Sequence, residues 1–172
     1  MAQEQIEIAD LFNTLEVSLK AIIAKRSLKN PVMIGVHTGG AWVAKEMHQR
    51  LEIKEPLALL DISFYRDDFS QVGMHPKVKP NSLPLTLEGR DVILIDDVFY
   101  TGRTIRAALN EVFDYGRPEQ VLFGVLIERD GRQVPLRPDS TGTKMVLEAG
   151  QRIKLTGPEP LSIEVQMVKE SV

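Results

Sequence analysis

An α/β domain with a mostly parallel sheet is the fold that this sequence predicts. Three short apolar segments rich in β-branched residues, 32–36, 92–95 and 120–127, have the composition of strands buried on both faces. The first two are each followed by a turn and by apolar residues at helical spacing, over 41–51 and 105–113. Alternating strands and helices build a parallel sheet between helices, and ligands gather at the carboxyl ends of its strands.

The rest of the chain predicts a packing helix, a long connection and a C-terminal β region. Residues 6–26 place leucines and isoleucines on one helical face, and residues 57–65 have the pattern of another strand. Residues 66–90 have little periodicity and contain three prolines and two glycines, which suits an active-site lid, a hairpin arm or a surface insertion without a role. Loose alternation after residue 140 predicts a small antiparallel region.

The composition limits the class of protein. A chain of 172 residues with 43% hydrophobic residues fits one domain, and the absence of cysteine excludes disulfides, thiolate zinc sites and cysteine nucleophiles. No apolar run approaches the roughly 20 residues that span a bilayer, so a cytoplasmic protein without a membrane partner is expected. The net charge of −3 hides one basic region, residues 129–154, with six Arg or Lys against three acids.

The most informative stretch is residues 91–109, which has the pattern of a strand, two acids, a turn and a helix. Because an unpaired buried charge is costly, we expect Asp96 and Asp97 where the strand opens to solvent. The turn offers hydroxyls, a glycine and a cation in Tyr100, Thr101, Gly102, Arg103 and Thr104. A turn of this kind at a helix N-terminus suits a phosphate monoester. The carboxylates can accept hydrogen bonds from vicinal hydroxyls or hold Mg²⁺, so the stretch predicts a sugar phosphate site.

A second turn, at Thr38, Gly39 and Gly40, follows the first predicted strand. Paired glycines can bring backbone N–H groups around an anion, although a plain turn is the commoner use of such a sequence. A P-loop is excluded because Ala41 stands where its lysine would be, and no dinucleotide fingerprint or nucleophile-elbow motif occurs. A receiver domain is disfavoured because the acidic pair lies past mid-chain and the next strand ends in Glu128.

Residues 92–104 resemble the phosphoribosyl-pyrophosphate (PRPP) binding motif of type I phosphoribosyltransferases. Within that superfamily, residues 61–68, 100–107, 116–118 and 128–139 resemble the PyrR family of bifunctional pyrimidine-operon regulators and uracil phosphoribosyltransferases. The resemblance implies the type I phosphoribosyltransferase fold, with a mostly parallel central sheet flanked by helices.

The resemblance also implies how the chain is divided and what it does. One phosphoribosyltransferase domain would span residues 1–172, with a flexible lid at about 66–90 and a small C-terminal β hood at about 140–168 that covers the uracil. The expected reaction converts uracil and PRPP to UMP and pyrophosphate. A second expected activity is UMP- or UTP-dependent binding of pyrimidine leader mRNA by a homodimer or higher homo-oligomer. The alternative is an RNA-binding attenuator that senses nucleotides with little or no catalysis.

Roles for individual residues follow from the resemblance. The ribose hydroxyls would be bound by Asp96 and Asp97, the 5′-phosphate by residues 100–104 and the pyrophosphate by residues 38–40. The lid would begin at Tyr65, Arg66 and Asp67. The base and pyrophosphate side of the cleft would include Arg132, Arg137 and Asp139. Catalytic roles would belong to Asp96, Asp97, Arg66 and Arg137.

The metal implied by the resemblance is Mg²⁺, held mainly through PRPP, with Asp96, Asp97 and Asp139 as its candidate protein ligands. Two departures from the family pattern stand out. Many members have Thr-Arg-Gly where this chain has Gly39 in the middle position, so one anion-binding cation is missing and reduced turnover is expected. Many also have Gly-Lys-Asn-x-Pro-Thr-Ser after Asp139, where this chain has a different segment from residue 142 on.

Overall fold

The computed structural model describes residues 7–62 and 82–168. Within these residues, five strands form one sheet whose neighbouring strands are all parallel. In chain order the strands are β1 (Val32–Val36), β2 (Ala58–Leu60), β3 (Asp91–Phe99), β4 (Gln120–Arg129) and β5 (Ser140–Met145). Their order across the sheet is β2-β1-β3-β4-β5. The parallel sheet predicted from the sequence is confirmed.

Three helices cover the two faces of this sheet. They are α1 (Ile8–Arg26), α2 (Gly39–Arg50) and α3 (Arg103–Asp114). Helices α1 and α2 pack with one set of alternate strand residues, which includes Met33 and Ile93, and α3 packs with the other set, which includes Ile34 and Leu94. Successive side chains of a strand point to opposite faces, so each central strand is apolar throughout because both of its faces are covered.

The strand order locates the ligand crevice. The chain leaves β1 through α2 to β2 on one side, and it then returns to β3 on the other side of β1. In an open α/β sheet, ligands bind at the carboxyl ends of the strands where the order reverses. That point lies between β1 and β3, and the segments that follow these two strands are residues 37–40 and 100–104.

A cluster of charged side chains fixes α1 against α2. The Nε of Arg50 donates to Glu46 at 2.6 Å, and its guanidinium also pairs with Glu16 at 3.2 Å and lies over the ring of Phe12. Lys20 and Arg50 together lower the pKa of the Glu16 carboxyl, and Glu46 raises the pKa of Arg50. These contacts join the C-terminal end of α2 to α1.

The C-terminal region differs from the sequence-based prediction. Residues 140–145 are not part of an antiparallel region, because β5 pairs in parallel with β4 along the edge of the main sheet. The sequence of β5 consists mainly of small hydroxyl residues and a glycine, so it lacks the alternation of apolar and polar residues from which a strand is predicted. The antiparallel part is the hairpin of β6 (Gln151–Thr156) and β7 (Ser162–Met167). Of the predicted strand at 57–65, residues 58–60 are observed as β2, and residues 63–65 lie outside the described residues.

The last part of the segment predicted as a lid, residues 82–90 of 66–90, packs against the rest of the domain. Ser82 exchanges hydrogen bonds with Leu59, and Leu87 is fully buried and donates its N–H to the carbonyl of Tyr115 at 2.7 Å. Residues 82–90 are therefore part of the body of the fold. The remainder of the predicted lid, with Tyr65, lies outside the described residues. None of the helices in the described ranges has the length and apolar character needed to cross a membrane.

Candidate active site

The two glycines after β1 pack directly against the acidic pair of β3. A β-carbon added to Gly40 would lie 2.8 Å from Oδ1 and 2.9 Å from Cα of Asp96, and one added to Gly39 would overlap the carboxylate of Asp97. At residue 40 only a residue without a β-carbon allows this approach, because the backbone of β3 is in contact there. The paired glycines, which are the first two residues of α2 and not part of a turn as predicted, are thus explained by contact with the acidic pair. The peptide bond between His37 and Thr38 is cis.

The acidic pair lies inside the strand, which corrects the expectation that both carboxylates mark its solvent-open end. Strand β3 continues to Phe99, with Asp96 opposite Val125 in the β3–β4 register. Asp96 is only 4% exposed, whereas Asp97 is half-buried. The N–H of Asp97 donates to Asp96 Oδ1 at 2.9 Å, which gives the buried carboxylate one of the partners that it needs.

The turn at 100–104 has the conformation expected of an anion site. Gly102 has φ of 90°, a left-handed conformation that favours glycine, and α3 begins at the next residue. The N–H groups of this first helical turn carry partial positive charge, and that of Arg103 donates to Thr101 Oγ1 at 3.3 Å. Tyr100, Thr101, Arg103 and Thr104 line the cavity in front of them, together with Asp96 and Asp97. The structure therefore brings the predicted phosphate turn and the acidic pair to one wall.

The opposite wall is formed by residues 147–153, which lead into the hairpin. The cavity between the two walls has a volume of about 830 Å³. A second cavity of about 540 Å³ is lined by Thr38, Gly39 and Trp42 on one side and by residues 152–155 on the other. Asp97, Arg152 and Ile153 line both cavities, so the two form one cleft that runs from the turn at 100–104 past the acidic pair to residues 38–40.

Two cleft arginines were identified from the sequence only as part of the basic region 129–154. The guanidinium of Arg129 lies 3.8 Å from the centre of the Tyr100 ring and donates to the carbonyl of Gln151 at 3.3 Å. Its Nε is buried and has no hydrogen-bond partner among the described residues. Arg152 lies across the cleft on β6. The local excess of positive charge was the one signal in the sequence that pointed to them.

Arg132 and Arg137 are exposed, and neither is among the residues that line the two cavities. The loop that carries them does reach the site. The N–H of Gln133 donates to the carbonyl of Thr101 at 2.9 Å, and its side-chain oxygen accepts from Arg103 Nε at 3.2 Å. The loop therefore supports the phosphate turn through Gln133, a residue that the sequence analysis did not single out.

Asp139 lies away from the cleft, which corrects its prediction as a cleft and metal-binding residue. Its carboxylate pairs with Arg26 at the end of α1, and its Oδ2 accepts from the N–H of Phe123 at 2.9 Å. Phe123 pairs with Leu94 in the β3–β4 register, two residues before Asp96. Asp139 directly precedes β5, and its side chain joins α1, through Arg26, to strand β4, through Phe123.

The remaining predicted site residues, Tyr65, Arg66 and Asp67, lie outside the described residues. Across residues 7–62 and 82–168, no three His, Asp or Glu side chains are grouped so that they could hold a metal ion. Among the described residues, the carboxylates that line the cleft are those of Asp96 and Asp97, which are adjacent on β3, and that of Glu148 on the opposite wall.

Solved structures share the fold. A hypoxanthine-guanine phosphoribosyltransferase from Bacillus anthracis is similar with a TM-score of 0.66 at 17% identity, over 85% of this chain and 84% of that one. A hypoxanthine phosphoribosyltransferase from Staphylococcus aureus is similar with a TM-score of 0.64 at 19% identity, over 84% of this chain and 78% of that one. At these identities the likeness concerns the fold alone.

Curated relatives are much more similar in sequence. A bifunctional protein PyrR from Pseudomonas putida is 51% identical over 158 residues, which are 92% of each chain. One from Nitrosococcus oceani is 46% identical over 165 residues, which are 95% of this chain and 93% of the relative. The phosphoribosyl transferase domain family matches residues 7–154. The chain therefore belongs to the phosphoribosyl transferase domain family and, within it, to the PyrR family.

Proposed function

We propose that the protein transfers the phosphoribosyl group of PRPP to uracil and releases UMP and pyrophosphate. The observation that supports this most is the continuous cleft in which a helix N-terminus, an acidic pair and a glycine loop follow one another. PRPP has a 5′-phosphate, a ribose diol and a diphosphate in the same order. The relatives called bifunctional protein PyrR, at about half identity, support uracil as the base.

Each part of the cleft has a separate task in this proposal. The N–H groups at the start of α3, with Thr101 and Thr104, bind the 5′-phosphate. Asp96 and Asp97 accept hydrogen bonds from the ribose hydroxyls, and their negative charge stabilises the positive charge that develops on the ribose as the diphosphate departs. The uracil lies against the strand β6 side of the cleft, where backbone groups recognise it. The nucleophile is the base itself, so no protein nucleophile is required.

Mg²⁺ fits this donor set as a metal that is bound largely through the substrate. It prefers oxygen ligands, keeps several waters and is commonly held by one or two carboxylates together with substrate phosphates. Asp97, and Asp96 beside it, would supply the protein ligands, and the ion would neutralise charge on the departing pyrophosphate. Asp139 is left out because it is paired with Arg26.

Three parts of the proposal rest on family resemblance. Arg66 and Arg137 would contribute to catalysis, with Tyr65 and Asp67 beside Arg66 at the start of the lid. The protein would act in the cytoplasm, as a homodimer or a larger homo-oligomer.

Incubation of the protein with uracil, PRPP and Mg²⁺ is expected to yield UMP and pyrophosphate, measured by conversion of labelled uracil. Chelation of the metal should stop the reaction, because the pyrophosphate then departs without charge neutralisation. Hypoxanthine, cytosine and orotate in place of uracil serve as controls. Consumption of one of these bases with uracil left untouched would contradict the assignment of the substrate.

A second activity, regulation by RNA binding, is favoured by the basic region. Residues 129–154 carry six basic side chains against three acidic ones, and Arg132 and Arg137 are exposed outside the two cavities. The relatives are named bifunctional proteins, which supports a second activity in addition to phosphoribosyl transfer. We propose that UMP or UTP bound in the cleft promotes binding of a pyrimidine leader mRNA.

Leader RNA is expected to shift in a native gel when the protein and UMP are both present, and much less without UMP. Because contacts to phosphates release counterions, the affinity should fall steeply as the salt concentration rises. A scrambled RNA of equal length is the control for sequence preference. If no shift occurred at low salt with UMP present, the proposed RNA binding would be contradicted, and the proposed transferase reaction would be unaffected.

A further inference from the structure

The end of the cleft at residues 38–40 needs positive charge that these residues do not supply. Thr38, Gly39 and Gly40 offer a hydroxyl group and the backbone N–H groups at the start of α2, but no cationic side chain. Asp97 adds a negative charge to the same cavity. A diphosphate carries several negative charges, so helix N–H groups beside a carboxylate are a weak site for it.

A cationic side chain at residue 39 would require the Asp97 side chain to move. The carboxylate of Asp97 occupies the space where a β-carbon of residue 39 would lie. With Asp97 in this position, a protein cation that adds to the charge of Mg²⁺ at this end of the cleft would come from another element.

Two cations reach the cavity from strand β6. Arg152 and Lys154 both line it, and because they alternate along the strand they share one face. Arg152 donates from Nε and Nη2 to the side-chain oxygen of Gln166, at 3.3 and 3.1 Å. Gln166 is neutral, so it orients the guanidinium without neutralising it. Lys154 lies opposite Glu164 in the β6–β7 register, and the Glu164 carboxylate accepts a hydrogen bond from the side chain of Gln166 at 2.7 Å.

Ile153 and Leu155, on the other face of β6, line the same cavity. Leu155 is buried, and Ile153 packs beside it against the core shared with α1 and α2. Trp42, in the first turn of α2, packs against the same core cluster and also lines the cavity. The strand that carries Arg152 and Lys154 is thus held to the helix whose N-terminus closes the cavity.

We infer that Arg152 and Lys154 bind the diphosphate of PRPP and the pyrophosphate product, and that they supply from the hairpin the positive charge that residues 38–40 lack. The inference rests on the proposed function, since it assigns residues to the diphosphate end of the same cleft. It makes the β6–β7 hairpin a part of the diphosphate site as well as a cover for the base.

Calorimetric titration of Mg²⁺-pyrophosphate, PRPP and UMP into wild-type protein and Lys154→Ala tests this inference without turnover. Loss of one charge-assisted contact should weaken both diphosphate ligands about tenfold and leave UMP within about twofold, because UMP has no diphosphate. Arg152→Ala should act in the same direction, and Lys154→Arg should restore binding. Lys144→Ala is the matched control, because it removes a lysine that is paired with Glu128 and does not line either cavity.

The outcomes separate the inference from the proposed function. Wild-type binding of both diphosphate ligands with no change in Lys154→Ala and Arg152→Ala would overturn the inference alone. Equal weakening of UMP and pyrophosphate would also overturn it, because the hairpin would then act on the whole cleft and not on the diphosphate. Wild-type protein that binds PRPP but forms no UMP from uracil would contradict the proposed function alone, since the titration does not involve the base.

Discussion

Asp97→Asn is expected to lower kcat/KM for PRPP by about 100-fold or more, a loss comparable with removal of one preorganised electrostatic group from an active site. The amide keeps the size of the side chain but loses the negative charge that faces the ribose. It also places an NH₂ group where hydroxyl groups are expected to donate. Steady-state kinetics with uracil and direct titration with PRPP would measure the effect.

Thermal unfolding of Asp97→Asn should match that of the wild type, because Asp97 is half-buried and lines the cleft. Asp114→Asn, at the exposed end of α3, is the control for the same chemical change outside the cleft. Wild-type kinetics in Asp97→Asn would remove this carboxylate from the ribose site.

Gly40→Ala is expected to lower the free energy of unfolding by about 1–3 kcal/mol, the usual cost of an added methyl group in a tightly packed position. The new β-carbon would lie 2.9 Å from the Cα of Asp96 and 3.0 Å from the carbonyl of Ile95, so the backbones of α2 and β3 must separate. PRPP binding should fall as well, because the same movement opens the cleft. Denaturant unfolding and titration with PRPP would measure the two effects.

Gly89→Ala is the control for Gly40→Ala. A β-carbon at Gly89 would meet no atom within 4 Å, but its φ of 65° is unfavourable for alanine. That variant should lose about 1 kcal/mol of stability from its backbone conformation and bind PRPP normally. If Gly40→Ala also bound PRPP normally, the contact between Gly40 and Asp96 would have no part in forming the cleft.

The parts of the site that could be predicted from the sequence are those whose residues all lie in one short segment of the chain. Residues 91–109 contain strand, acids, turn and helix in succession, and the structure has them in that order. The strand over 32–36 is local in the same sense, whereas the turn predicted at residues 38–40 is observed only at 37–38, because Gly39 and Gly40 begin α2. Apolar runs and glycines act on their near neighbours, so a single segment carries the information.

The parts that could not be predicted depend on contacts between distant segments. Asp96 is buried because α2 lies over it, and the expectation of an exposed pair used only the cost of burial. Asp139 pairs with Arg26, which is 113 residues away in the chain. Arg152 reaches the cleft because a hairpin packs on α2. In each case the partner is set by tertiary packing, to which local composition gives no guide.

The contact between Gly39 and Asp97 has a consequence for how this family can diverge. Residue 39 and residue 97 compete for the same space, so neither can change its side chain without regard to the other. A single Gly39→Arg substitution would first displace the carboxylate before its new charge could be of use. A cation at residue 39 is therefore useful only if the Asp97 side chain adopts another rotamer. On the hairpin, by contrast, positive charge can be gained or lost by single substitutions.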